Sequence, residues 1–166
     1  MSKAESMLKL FKGEVAKTRK ALERVPFEKA EWAPHEKSMT LGRLAGHIAE
    51  MNGWGVSILT RDEFDMAGDG EGYKAPVFES TEDILATFDQ GVAEIEEALP
   101  GVSDEAWVEH WSLKSGGKEV FGGPRGPFFA SMVINHVIHH RGQLTVYLSL
   151  CDVPVPGMYG PSADEK

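Results

Sequence analysis

The sequence predicts an all-α fold, a four-helix bundle with long crossover loops and an irregular C-terminal tail, filling residues 1–166 as a single domain. Three observations predict it. Four stretches carry apolar residues at helical spacing, capping or breaking residues stand at their ends, and the last stretch runs beyond about 20 residues, too long for one strand. A length of 166 residues is enough to bury a core, and 42% hydrophobic with 26% charged residues is the composition of a packed chain, not a disordered one.

Helix one is expected over roughly residues 3 to 24: Ser2 caps it with Glu5 three residues on, Leu8, Phe11, Val15 and Leu22 form its apolar stripe, and Pro26 stops it. The stretch PFEKAEWAPHEKSM, with two prolines, reads as a loop. Thr40 then caps helix two, LGRLAGHIAEMNGWGVSIL, where Leu44, His47, Met51 and Trp54 share one stripe. Its four glycines, Gly42, Gly46, Gly53 and Gly55, each cost about 1 kcal/mol of helix propensity; close packing or room for a ligand would explain that cost, and this is the helix expected to fray.

Residues 61–79, with AGDGEGYKAP, read as a connection crossing the end of the bundle. Ser80 opens helix three, faced by Ile84, Leu85, Phe88, Val92, Ile95 and Leu99 and ended by Pro100-Gly101. After a short turn at 103–107, HWSLKSGGKEVFGGPRG reads as a brief hairpin or an ordered loop around Gly116-Gly117. Pro127 suits the first turn of helix four, FFASMVINHVIHHRGQLTVYLSL, the most apolar segment and the expected centre of the bundle. The tail from Cys151 onward holds three prolines and reads as irregular.

A formal charge of -9 gives no footprint for nucleic acid or anionic lipid, and no apolar run is long enough to span a bilayer. The N-terminus lacks the pattern of a secretory signal, and the lone Cys151 has no internal disulfide partner. A cytoplasmic protein with a small-molecule partner is the expectation.

Candidate chemistry concentrates in NHVIHHRGQL. On a helix, His136 and His140 lie one turn apart and about 40° from each other around the axis, so both rings reach one ion; His136 with His139 is the competing pair. His140 lies closer to the inward stripe of Phe129, Val133, Leu144 and Tyr147, and His47 faces inward from helix two. Three imidazoles suit zinc or nickel and leave a position open, although a lone histidine on an apolar face is more often a core residue bonded to a neighbour. No glutamate follows the first histidine as in H-E-x-x-H, which excludes a thermolysin-like site. Glu50 is either a partner of a metal-bound histidine or an exposed helix residue, and Arg141 either binds an anionic substrate group or pairs with a carboxylate. Trp54, Trp107, Trp111 and Phe128 line a pocket or belong to the core, and Cys151 reads as a buried apolar residue in preference to a reactive thiol.

At LGRLAGHIAEMNGW, NHVIHHRGQL and the closing DVPVPGMYGPSADE, the sequence resembles the DinB/YfiT-like family of candidate metalloenzymes over nearly the whole chain. The resemblance implies a four-helix bundle that binds one divalent ion, zinc or nickel, through His47, His136 and His140, in a homodimer. It further implies a metal-dependent S-transferase joining a low-molecular-weight thiol to a small electrophile, with Arg141 orienting a carboxylate of the thiol. Two alternatives stay open: a metal-dependent hydrolase with Glu50 as base, and a non-catalytic dimeric stress or binding protein braced by its metal.

Overall fold

The computed structural model describes residues 2–68 and 73–165. Helix α1 spans Lys3–Leu22 and opens with a capping box, Ser2 Oγ accepting from the Glu5 N–H at 3.1 Å and Glu5 accepting from the Ser2 N–H at 2.7 Å. It ends short of residue 24 because the N–H groups of Arg24 and Val25 bond to carbonyls three residues back, tightening the chain before Pro26. Helices α2, Leu41–Thr60, and α3, Thr81–Ala98, begin at the expected caps: Thr40 accepts from the Arg43 N–H and Ser80 from the Asp83 N–H.

The glycines of α2 keep the helix whole by letting neighbours in. A methyl group added at Gly42, Gly46 or Gly55 would lie 2.9 Å from Ala30, 2.6 Å from the Phe78 ring and 2.7 Å from Ile95, so close packing offsets the propensity cost at these three. Gly53 differs, since a methyl there meets nothing.

The fourth helical stretch starts at Arg125, earlier than expected, and places Pro127 in its first turn, where a missing N–H leaves no bond unmade. It runs as α4, Arg125–Phe129, through a π-helical turn, Ala130–Asn135, into α5, His136–Leu150. Around the long axis α1 packs on α3, α3 on α2, α2 on α5 and α5 back on α1, so consecutive helices α1 and α2 are not principal neighbours and the topology is not simple up-and-down. The core centres on Leu22, Leu44, Ile48, Phe88 and Leu144 toward one end and Ile58, Ile95, Trp111 and Phe129 toward the other.

The expectation of a purely all-α fold needs correction, because a small sheet is added to a mostly helical fold. Among the described residues β1, Glu63–Asp65, pairs in parallel with β2, His110–Ser115, which pairs antiparallel with β3, Lys118–Pro124. Gly116 and Gly117, at φ 60° and 77°, supply the two left-handed residues of a tight hairpin turn. The Asp65 carboxylate accepts from both of their N–H groups, at 3.0 and 2.7 Å, and so joins β1 to the hairpin. A three-residue strand is too short for a readable alternation, which is why residues 61–79 read only as a connection; residues 69–72 of that stretch lie outside the described residues. The tail is irregular as expected, and no helix among the described residues is long and apolar enough to cross a membrane.

Candidate metal centre

His47 projects from α2, and His136 and His140 from the first two turns of α5. One ligand nitrogen from each lies within 4.8 Å of the others, so the three can hold a metal ion. The Nε2 atoms of His47 and His136 are 3.4 Å apart. Zinc–nitrogen bonds of about 2.0–2.1 Å in a tetrahedron require about this separation. His139 is exposed on the helix while His140 is 7% exposed, so burial separates the pair that spacing left open.

The opposite ring nitrogens are occupied. His47 Nδ1 lies 2.6 Å from Glu50 Oε1, and a carboxylate only accepts, so Nδ1 donates and Nε2 is the atom that faces the other histidines. His140 Nδ1 donates to Gln143 Oε1 at 2.7 Å, and His136 is bonded to the Met132 backbone. Anchoring the outer nitrogen of each ring fixes tautomer and orientation, the preparation typical of metal-binding histidines. Burial is the main cause that depresses the His136 and His140 pKa values, His140 to about 4, with the neighbouring imidazoles adding to it. Both are neutral at pH 7, the state in which imidazole donates electrons to a metal.

Glu50 is buried, not on an open helix face. Its Oε1 accepts from His47 and, at 2.7 Å, from Arg43 Nη2, and its Oε2 accepts from the Tyr73 hydroxyl at 2.7 Å. Burial raises the Glu50 pKa, but the bonds from His47, Arg43 and Tyr73 outweigh it and leave the carboxyl below its usual range. Tyr73 escaped the sequence reading because a tyrosine in an irregular connection carries no periodic signal. The π-helical turn that delivers His136 was likewise unmarked in the sequence; such turns recur at functional sites.

Arg141 needs the opposite correction. Its guanidinium is turned to α1 and the tail, donating to Glu14 Oε2 at 2.6 Å, to the Glu14 carbonyl and Thr18 Oγ1 at 3.1 Å each, and to the Tyr159 hydroxyl at 2.6 Å. One residue beyond His140 is about 100° around the helix, which carries Arg141 to a different face. The salt-bridge alternative holds, with Arg141 2% exposed. Trp107 and Trp111 are core residues beside Phe129 and Phe128, Cys151 is buried, and Trp54 alone of the four flagged aromatics lines a cavity with Glu50.

Comparison with known proteins gives the family and the fold. The model of the DinB family matches residues 1–166. Protein YrdA of Bacillus subtilis strain 168 is 27% identical over 164 residues, covering 97% of this chain and 90% of YrdA. A crystal structure of a DinB-like protein from Bacillus cereus superposes with a TM-score of 0.68 at 25% identity, covering 93% of this chain and 97% of that one. The DinB-like protein YjoA of Bacillus subtilis shares the fold, with a TM-score of 0.66 at 17% identity over 97% of this chain and 99% of its own.

Proposed function

The chain belongs to the DinB family, and from that premise we propose that it holds one zinc or nickel ion on His47, His136 and His140 and acts as a thiol S-transferase on small electrophiles. The observation that carries this reading is the convergence of three imidazoles whose outer nitrogens are already bonded. A divalent ion held there would lower the pKa of a thiol at its open position and so supply a nucleophile at neutral pH. His47, His136 and His140 would be the ligands, and Glu50 would fix the His47 ring while Arg43 and Tyr73 fix Glu50.

Two features favour this reading over its alternatives. A hydrolase needs a base, and the carboxylate nearest the histidines is held by three donors that keep it ionised and weakly basic. A purely bracing metal takes four protein ligands, whereas the cluster among the described residues offers three. The reading retains a small-molecule substrate, a homodimer and a cytoplasmic setting. With Arg141 turned away, Arg43, bonded to the same Glu50 oxygen as His47, stands beside the cluster in its place.

The test is elemental analysis of protein purified without a histidine tag, followed by a thiol-dependent assay with monochlorobimane. Near one zinc or nickel per chain, with bimane loss that requires both thiol and metal, is the expected result. Ester cleavage without thiol would establish the hydrolase instead, and absence of metal after exposure to zinc and nickel would remove both.

A further inference from the structure

One face of α2 carries Arg43, His47, Glu50, Gly53, Trp54 and Ser57 at helical spacing. The histidines occupy its middle. Beyond Glu50, away from Arg43, the face opens into a cavity of about 180 Å³ lined by Glu50, Gly53, Trp54, Ser57, Phe64 and Tyr73. The Trp54 ring packs edge-on against Phe64 and Tyr73, at centroid separations of 5.5 and 5.3 Å. Gly53 leaves the floor open.

We propose that this cavity is the subsite for an uncharged, single aromatic ring carried by the electrophilic substrate. The proposal rests on the thiol-transferase reading for the word electrophilic and on the cavity itself for the ring. A volume of this size suits one ring and not two, since an apolar cavity of about 150 Å³ holds benzene. Three aromatic side chains supply edges and faces for a flat guest. A charged guest of either sign finds the Glu50 carboxylate already paired with Arg43, so neither gains a free partner there.

The position also connects the guest to the metal centre. Six to seven residues of α2 separate His47 from Gly53 and Trp54, a rise of about 9–10 Å, so a ring seated here reaches the histidines through an arm of about three or four atoms. Trp54 bonds the Tyr73 hydroxyl, which donates to Glu50, which orients His47. A ring lying on Trp54 and Tyr73 therefore touches the side chain that holds the Glu50 carboxylate from the cavity side, Tyr73, and the ring that bonds it.

The experiment is ¹⁹F NMR titration of the full chain with 4-fluorobenzyl alcohol, with 4-fluorobenzoate and 4-fluorobenzylamine as charged analogues, and metal content measured on the same samples. Gly53→Leu puts a side chain into the cavity, and since a Cβ at Gly53 meets nothing and leucine favours helix, the variant is expected to keep the fold, which circular dichroism checks. The expected result is binding of the alcohol that weakens at least tenfold in Gly53→Leu and is at least tenfold tighter than that of either charged analogue, with equal metal content in both proteins. Equal binding by the two proteins, preference for a charged analogue, or no binding by wild type overturns the subsite while leaving a measured metal in place. Ring binding lost in Gly53→Leu, in protein that takes up no metal, supports the cavity and removes the transferase reading.

Discussion

Residues 140 and 141 are neighbours in sequence, yet they serve two buried polar clusters of opposite character. Around Arg141 the strong groups are paired: Glu14, Thr18 and Tyr159 take four bonds from the two Nη atoms, and Lys17 holds the second Glu14 oxygen at 2.9 Å. Around His140, the outer ring nitrogens are bonded and the inner ones converge on one another. A closed network of this kind joins α1, α5 and the tail, while an open one is prepared for something from outside.

The comparison breaks most decisively at the histidines. His136→Ala should reduce metal from near one ion per chain to almost none by elemental analysis, with the fold retained by circular dichroism; retained stoichiometry would mean that this cluster is not the site. Arg141→Ala should do the reverse. It leaves the Glu14 charge buried without its main partner and should cost about 3–5 kcal/mol in urea unfolding, with metal stoichiometry unchanged. The double variant Glu14→Gln with Arg141→Met should recover most of that loss, because neither charge is then stranded.

Smaller effects sharpen the contrast. Glu50→Gln should weaken metal binding about 10–100-fold in competition with a chelator, the usual cost of losing a histidine's carboxylate partner; a change under twofold would place Glu50 outside the metal's influence. The smallest effect is in acid. Burial raises the Glu14 pKa, but bonds from Tyr159, Lys17 and Arg141 outweigh it and hold the carboxyl below its usual range. A carboxyl depressed in the folded state contributes stability that is complete above its unfolded pKa and lost as pH falls through the folded one. Wild type should therefore lose more stability than Glu14→Gln as pH falls below about 4.5, and parallel pH curves would mean that the network adds nothing.

The helices were legible because their caps and stripes are local: Ser2, Thr40 and Ser80 each cap the helix they precede, and Gly116-Gly117 makes the hairpin that was one of two options. The histidine trio was legible only in part. Spacing offered His136 with either His139 or His140, and the family resemblance selected the pair that burial now favours. Arg141 stayed open between an anionic substrate and a carboxylate partner because direction around a helix depends on phase, and the structure pairs it with Glu14. Tyr73 and β1 were missed because their roles depend on partners far away in sequence, Glu50 in one case and the hairpin in the other.

The π-helical turn at Ala130–Asn135 sets that phase. A π turn absorbs about one extra residue, so each residue downstream occupies the seat that its predecessor would hold in an uninterrupted α-helix. Were the turn wound tight, everything after it would advance by about 100°. Asn135 would then take the seat of His136, His139 that of His140, and His140 that of Arg141. A single backbone irregularity thus acts as a frame shift written in space: it decides which member of a histidine doublet faces α2, and it sets both buried clusters in the same stroke.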